Sequence, residues 1–164
     1  MRTATLLLAL LPLVGACLDG RVPPRDIALN SSGCEPPTED LARAGQLMLP
    51  GSLCQGCHTQ GGAAGSLPWT LSGTVFNSLD APCNTGGVDG AQVDIIDAND
   101  NVVLTLTTNR SGNFFTAEQL DVPPVRAIIT QGTLIREMQG LQPTTACATC
   151  HYPNGPAPGR IFLN

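Results

Sequence analysis

From Trp69 onward, apolar and polar residues alternate with a period of two, and turn residues break the alternation at short intervals. That pattern predicts strands laid on a shared core. Trp69 to Phe76 is the first candidate, and Ala91-Gln92-Val93-Asp94-Ile95-Ile96 is the second. Between Asn101 and Thr107, Val102, Leu104 and Leu106 fall on one face, and Val103, Thr105 and Thr107 on the other. Asp97-Ala98-Asn99-Asp100 is the turn that joins these two strands, and Asn109-Arg110-Ser111-Gly112 turns the chain into Phe114-Phe115-Thr116. Val125 to Thr130 and Thr133 to Met138 follow, linked by a tight hairpin at Gln131-Gly132. The expected class is mainly β: a single antiparallel β-sandwich of about six strands. Six antiparallel strands return a chain to the end at which it entered, so the segments before and after them should meet there.

Ahead of the strands the pattern changes. Thr38 is placed to cap a helix that begins Glu39-Asp40, with acids at its positive end. Leu41, Ala44 and Met48 share one face of that helix, and Pro50-Gly51 ends it. At the start of the chain, Arg2 precedes an apolar run from Ala4 to Val14 and the small residues Gly15 and Ala16. This reads as a signal peptide, too short to span a bilayer, which takes about 20 apolar residues. Val14-Gly15-Ala16-Cys17 resembles the lipobox of bacterial lipoproteins. The resemblance implies cleavage before Cys17 and diacylation of its sulfur; the alternative is an ordinary signal peptide with a cysteine beside it. Leu18, where an inner-membrane retention signal would have Asp, favours the outer membrane. Pro23, Pro24, Pro36 and Pro37 then make residues 18 to 37 an extended tether.

Composition narrows the functions. Only 4% of residues are aromatic, thin material for a core, so a large flat cofactor filling the interior would help. The 18 glycines and 14 prolines leave little room for long regular elements. Thirteen acidic residues oppose eight basic ones, all arginine, and no basic stripe invites nucleic acid. An acidic surface suits a redox partner with a positive docking face, and equally serves solubility alone.

The seven cysteines carry the chemistry. Cys17 is assigned to lipid. Cys54-Gln-Gly-Cys57-His58 and Cys147-Ala-Thr-Cys150-His151 are two copies of one frame, and they use both histidines of the chain. Two thiols on one helical turn reach the two vinyl groups of one haem, and the following histidine meets the iron. Chance predicts roughly 0.004 such frames in a chain of this composition. Two covalent haems c are therefore expected, with Cys54, Cys57, Cys147 and Cys150 as thioethers and His58 and His151 as proximal ligands. A four-cysteine zinc site would leave the repeated histidine unexplained. A thioredoxin-type dithiol needs a long helix after the motif, which Gly61, Gly62, Gly65 and Pro68 prevent. Cys34 and Cys83 remain, and in an oxidising compartment their simplest fate is a disulfide, the alternatives being free thiols or pairing between chains. With both histidines used, the candidates for the distal iron position are Met138, which lies shortly before Cys147, and Met48; with neither, the irons stay five-coordinate.

The run Asp40 to Leu49 leading into the first motif resembles the N-terminal helix and haem motif of small cytochromes c, over about 25 residues, although Gly45 is displaced and Pro50-Gly51 interrupts. Ser72-Gly73-Thr74-Val75, Gly90 to Ile95, Thr107-Thr108-Asn109 and Gly112-Asn113-Phe114 resemble the carboxypeptidase-regulatory-like, or transthyretin-like, β-sandwich family. The order of haem motif, sandwich and haem motif behind a lipobox resembles small cytochrome-c-like lipoproteins of Gram-negative bacteria. The expected organisation is signal peptide 1–16, lipidated cysteine and tether 17–37, first haem-binding segment 38–68, sandwich 69–138, and second haem-binding segment with tail 139–164. These readings together imply an electron carrier of the cell envelope, held to a membrane by lipid and served by redox partner proteins. No spare histidine or paired acid is placed for proton work, so an enzyme is not expected. The competing reading is a binding module whose cysteines form structural disulfides. Oligomeric state leaves no mark on the sequence.

Overall fold

The computed structural model describes residues 45–82, 85–121, 123–157 and 159–164. The signal peptide, Cys17, Cys34, the tether and Cys83 lie outside the described residues. The chain is mainly β, with six antiparallel strands in two sheets. β1 (Leu71–Thr74) pairs with β4 (Asn113–Thr116). β2 (Gln92–Ile96), β3 (Val102–Thr107), β5 (Arg126–Gln131) and β6 (Leu134–Glu137) form the second sheet, in the order β3-β2-β5-β6. All six expected strands exist, and β1 is shorter than the run from Trp69 to Phe76.

The two sheets share one core. Leu71 of β1, Phe114 of β4, Val93 and Ile95 of β2 and Ile129 of β5 pack in a single buried cluster with Val75, Ala91 and Leu163. The alternation in β2 puts Val93 and Ile95 inward, as the period of two requires. In β3 the alternation fails at one end. A bulge between Ile95 and Ile96 shifts the pairing, so Leu104 and Leu106 are partly buried while Val102 is exposed. One extra residue in a ladder reverses the facing beyond it. The Asp97 carboxylate closes the β2–β3 turn by accepting from the N–H groups of Asn99 and Asn101.

The helix expected to run through Met48 is absent over its described part; residues 45 to 50 are bends and turns. The reason lies in two asparagines. Asn109 donates from Nδ2 to the Gln46 carbonyl (2.6 Å), and Asn113 from Nδ2 to the Met48 carbonyl (2.9 Å). Those carbonyls are spent on β4 and its entry turn instead of on a helical ladder. Leu49 at φ 45° then turns the chain the left-handed way. Residues 38 to 44 of that helix lie outside the described residues.

Every residue of β1 is buried although only one strand pairs with it. Its other edge is covered by the chain around the second motif. Ser72 N–H donates to the Thr145 carbonyl (3.3 Å), and Ser72 forms a parallel bridge with Ala146. Further along, Phe76 N–H donates to Ile161 O (2.9 Å) and Leu163 N–H to Phe76 O (3.0 Å). The C-terminal tail is thus laced to the extension of β1. Arg160 fixes it further, donating to Ala81 O (2.7 Å) with its guanidinium 4.8 Å above the Phe76 ring.

Candidate functional site

The two motifs meet on β1. The Cys54–Gly56 and Cys147–Thr149 turns both pack against this strand, and Gln55 donates to the Thr145 carbonyl (3.4 Å) across the gap between them. Ser72 of β1 also donates to Gln55. Leu53, Ala146 and Ala148 form a small apolar cluster under both turns. The meeting follows from the tail's parallel pairing beside β1, not from the strand count alone.

Each motif is a single turn of 3-10 helix, and the two copies have nearly the same shape. The preceding residues are Leu53 (φ −76°, ψ 90°) and Ala146 (φ −83°, ψ 78°). The second cysteines are Cys57 (φ −107°, ψ −41°) and Cys150 (φ −114°, ψ −35°). His58 N–H donates to Cys54 O (2.8 Å), as His151 N–H does to Cys147 O (3.0 Å). The likeness continues past the histidines. Gly61 and Asn154 both take positive φ, at 82° and 64°. Ala64 N–H donates to Cys57 O (3.0 Å), and Ala157 N–H to Cys150 O (3.3 Å). A Cβ on Gly62 would collide with the Cys57 carbonyl, and one on Gly155 with the Cys150 carbonyl. The repeat is therefore longer than the five-residue frames and includes a closing loop. Its trace in the sequence is a glycine and an alanine at the same distance beyond each histidine. Read alone, Gly61 and Gly62 look only like helix breakers.

That loop orients each imidazole. His58 Nδ1 lies 2.8 Å from Leu67 O, and His151 Nδ1 lies 3.2 Å from Gly159 O. A carbonyl only accepts, so Nδ1 carries the proton in both rings and Nε2 presents its lone pair. His58 is buried, and its Nε2 has no hydrogen-bond partner among the described residues. A buried acceptor left bare costs about 1–3 kcal/mol, so such an atom calls for an explanation. His151 is half-buried; burial lowers its pKa and so favours the neutral ring, against the opposing pull of the Gly159 carbonyl.

His58 is also held by stacking. Its ring lies parallel to Trp69 (centroids 3.5 Å apart, planes 4° apart), and Trp69 lies parallel to Phe115 (4.1 Å, 9°). The strand pattern marks Trp69 only as the start of β1; its place against the imidazole has no signal in the sequence. The stack walls a narrow, open-mouthed cleft that encloses only about 20 Å³. Gln46, Met48 and Leu49 line it together with Cys54, Cys57 and His58. Met138 does not; it follows β6, half-buried, with its N–H donating to Ala127 O (2.9 Å).

The thiols are quiet. Cys54, Cys57 and Cys147 are free. Burial pushes the Cys54 thiol up to about 11 against a hydrogen bond from Ser72 that pulls it down. Burial, and then the neighbouring Cys54, push the Cys147 thiol up to about 12. A dithiol oxidoreductase needs the opposite shift. Cys150 is disulfide-bonded. Among the described residues, no three His, Cys, Asp or Glu side chains converge to hold a bare metal ion.

No family model, curated protein or solved structure matches this chain. The repeated carbonyl-anchored histidines and the bare buried Nε2 of His58 have the donor chemistry that a haem iron takes, while the enclosed cleft beside Cys54 and Cys57 is far smaller than a haem.

The thiol shifts carry a prediction. In folded protein made without haem-maturation machinery, Cys54 and Cys147 should resist an alkylating reagent at neutral pH, because the thiolate is the nucleophile and both pKa values lie well above 7. Mass spectrometry after a timed pulse should find them modified at least about tenfold more slowly than in denaturant. Equal rates would show that the sulfurs are not buried.

Proposed function

We propose that this chain is a c-type cytochrome lipoprotein of the cell envelope that binds two haems covalently and transfers electrons. The observation that carries the reading is the doubled site: two turns of the same conformation, each followed by a histidine whose Nδ1 is committed to a backbone carbonyl. An oriented, singly protonated imidazole is what an iron ligand requires. Cys54, Cys57, Cys147 and Cys150 are the proposed thioethers, and His58 and His151 the proximal ligands. When bound, haem supplies a one-electron couple.

The chain's own residues do the rest. Leu67 O and Gly159 O fix the rings, the closing loops hold the carbonyls of Cys57 and Cys150, and β1 keeps both motifs on one strand. Two one-electron centres this close would let an electron enter at one and leave from the other. The two-sheet core, read with the quoted sequence resemblance, supports a transthyretin-like sandwich as the scaffold. Cys17 would carry lipid, anchoring the protein to a membrane, with the outer one favoured by Leu18; none of the helices among the described residues is long and apolar enough to cross a membrane. The partners would be redox proteins of the envelope, and the role is that of a carrier, not an enzyme.

A second reading has one observation in its favour. The disulfide at Cys150 suits a β-sandwich binding module with structural disulfides. Expression with and without haem-maturation machinery separates the two. The cytochrome should be coloured, with pigment migrating with the chain in denaturing gels and bleaching and recovering on reduction and reoxidation. A colourless, folded product under both conditions favours the binding module.

A further inference from the structure

We propose that residues 46–51 form a latch over the first motif, and that opening of this latch, with the two sheets intact, exposes the Cys54 thiol and the His58 imidazole. Gln46, Met48 and Leu49 line one cleft with Cys54, Cys57 and His58, and it encloses only about 20 Å³. That is room for about one water molecule. The buried Nε2 of His58 has no partner among the described residues, and nothing larger reaches it while the arm lies in this place. The inference does not rest on the cytochrome reading, which adds only that the latch controls when the first motif takes haem.

The arm is held by a ring of polar bonds. Gly51 N–H donates to Thr74 Oγ1 (2.9 Å), the Thr74 hydroxyl donates to Asn113 Oδ1 (2.8 Å), and Asn113 Nδ2 donates to Met48 O (2.9 Å). The bonds thus leave the arm at Gly51 and re-enter it at Met48. Asn109 Nδ2 adds a bond to Gln46 O (2.6 Å). Thr74 and Asn113 are buried and belong to the paired strands β1 and β4, so the anchored side of the latch is part of the sandwich. The arm itself is different. Residues 46–51 contain no helix or strand, and none of them belongs to either apolar cluster. A segment held by a few polar bonds opens at lower free energy than the core beneath it. Leu49 pulls the same way, because its φ of 45° is a conformation that a non-glycine residue keeps only where its surroundings impose it. Cys147 of the second motif packs against the main core instead, which makes it an internal reference for opening of the sandwich.

The test is timed chemical modification of the full chain expressed without haem-maturation machinery, read peptide by peptide by mass spectrometry. Thr74→Val keeps the β-branched shape and removes the hydroxyl at the centre of the ring. Alkylation of Cys54 should become at least about tenfold faster in this variant, while Cys147 stays within about twofold of the natural chain. Acylation of the imidazoles should follow the same order, faster at His58 and unchanged at His151. Asn109→Asp keeps the oxygen that accepts from the Ser111 and Asn113 N–H groups and loses the donor to Gln46. It should move the rates in the same direction, and it decides the matter should the valine variant fold poorly. Equal acceleration of Cys54 and Cys147 in Asn109→Asp, or no acceleration of Cys54 in either variant, overturns the latch. Neither reagent involves haem, so a colourless protein would overturn the cytochrome reading and leave this result standing.

Discussion

A chain with Cys54→Ser and Cys57→Ser should leave haem maturation with one covalent haem in place of the two proposed. Cys147→Ser with Cys150→Ser should do the same. Each copy of the motif has its own pair of sulfurs, its own histidine, its own carbonyl anchor and its own closing loop. They share a wall, the backbone of β1 and the apolar cluster of Leu53, Ala146 and Ala148, and serine is close enough to cysteine in size to leave it in place. Intact mass reads the outcome, since each thioether-linked haem adds its full mass to the chain. Loss of both haems from either variant would show that the sites load as one unit. Retention of two would remove the cysteines from the attachment.

Alanine at Gly62 or Gly155 should cost about 1–3 kcal/mol each, the usual range for atoms forced into a packed place. At Gly62 the obstacles are all backbone: the Cys57 carbonyl, and Thr59 O at 3.1 Å. At Gly155 they are the Cys150 carbonyl and the Tyr152 ring, with Cδ1 at 2.9 Å. In each copy the alanine two residues on draws the loop over that carbonyl with its N–H. The loop cannot widen without breaking this bond. Urea midpoints of the two variants against the natural chain measure the effect; changes within about 0.3 kcal/mol would mean that the approach is looser than described.

Alternation was enough to find the strands. Val93 and Ile95 point inward in β2 as their spacing demands, and the Asp97 turn lies where its residue types call for one. Pairing was not legible. β1 finds its partner in β4 and has its second edge covered by Thr145 and Ala146, because long-range pairing leaves no local pattern. The Ile95–Ile96 bulge reverses Val102 for the same reason. The helix through Met48 fails because Asn109 and Asn113, distant in sequence, take its carbonyls.

At the site, the cysteines and histidines announced themselves by spacing. Their anchors are Leu67 and Gly159, which act through backbone carbonyls and so have no side-chain signature. Of the two methionines offered by the sequence, Met48 lines the cleft and Met138 does not, which their spacing from the motifs does not reveal.

The central claim is that both motifs hold haem. It is tested most directly by the pyridine-haemochrome content of the full chain, purified after expression with haem-maturation machinery and divided by protein concentration. The account predicts two haems per chain. A value of zero would contradict the claim outright, and a value of one would restrict it to a single motif.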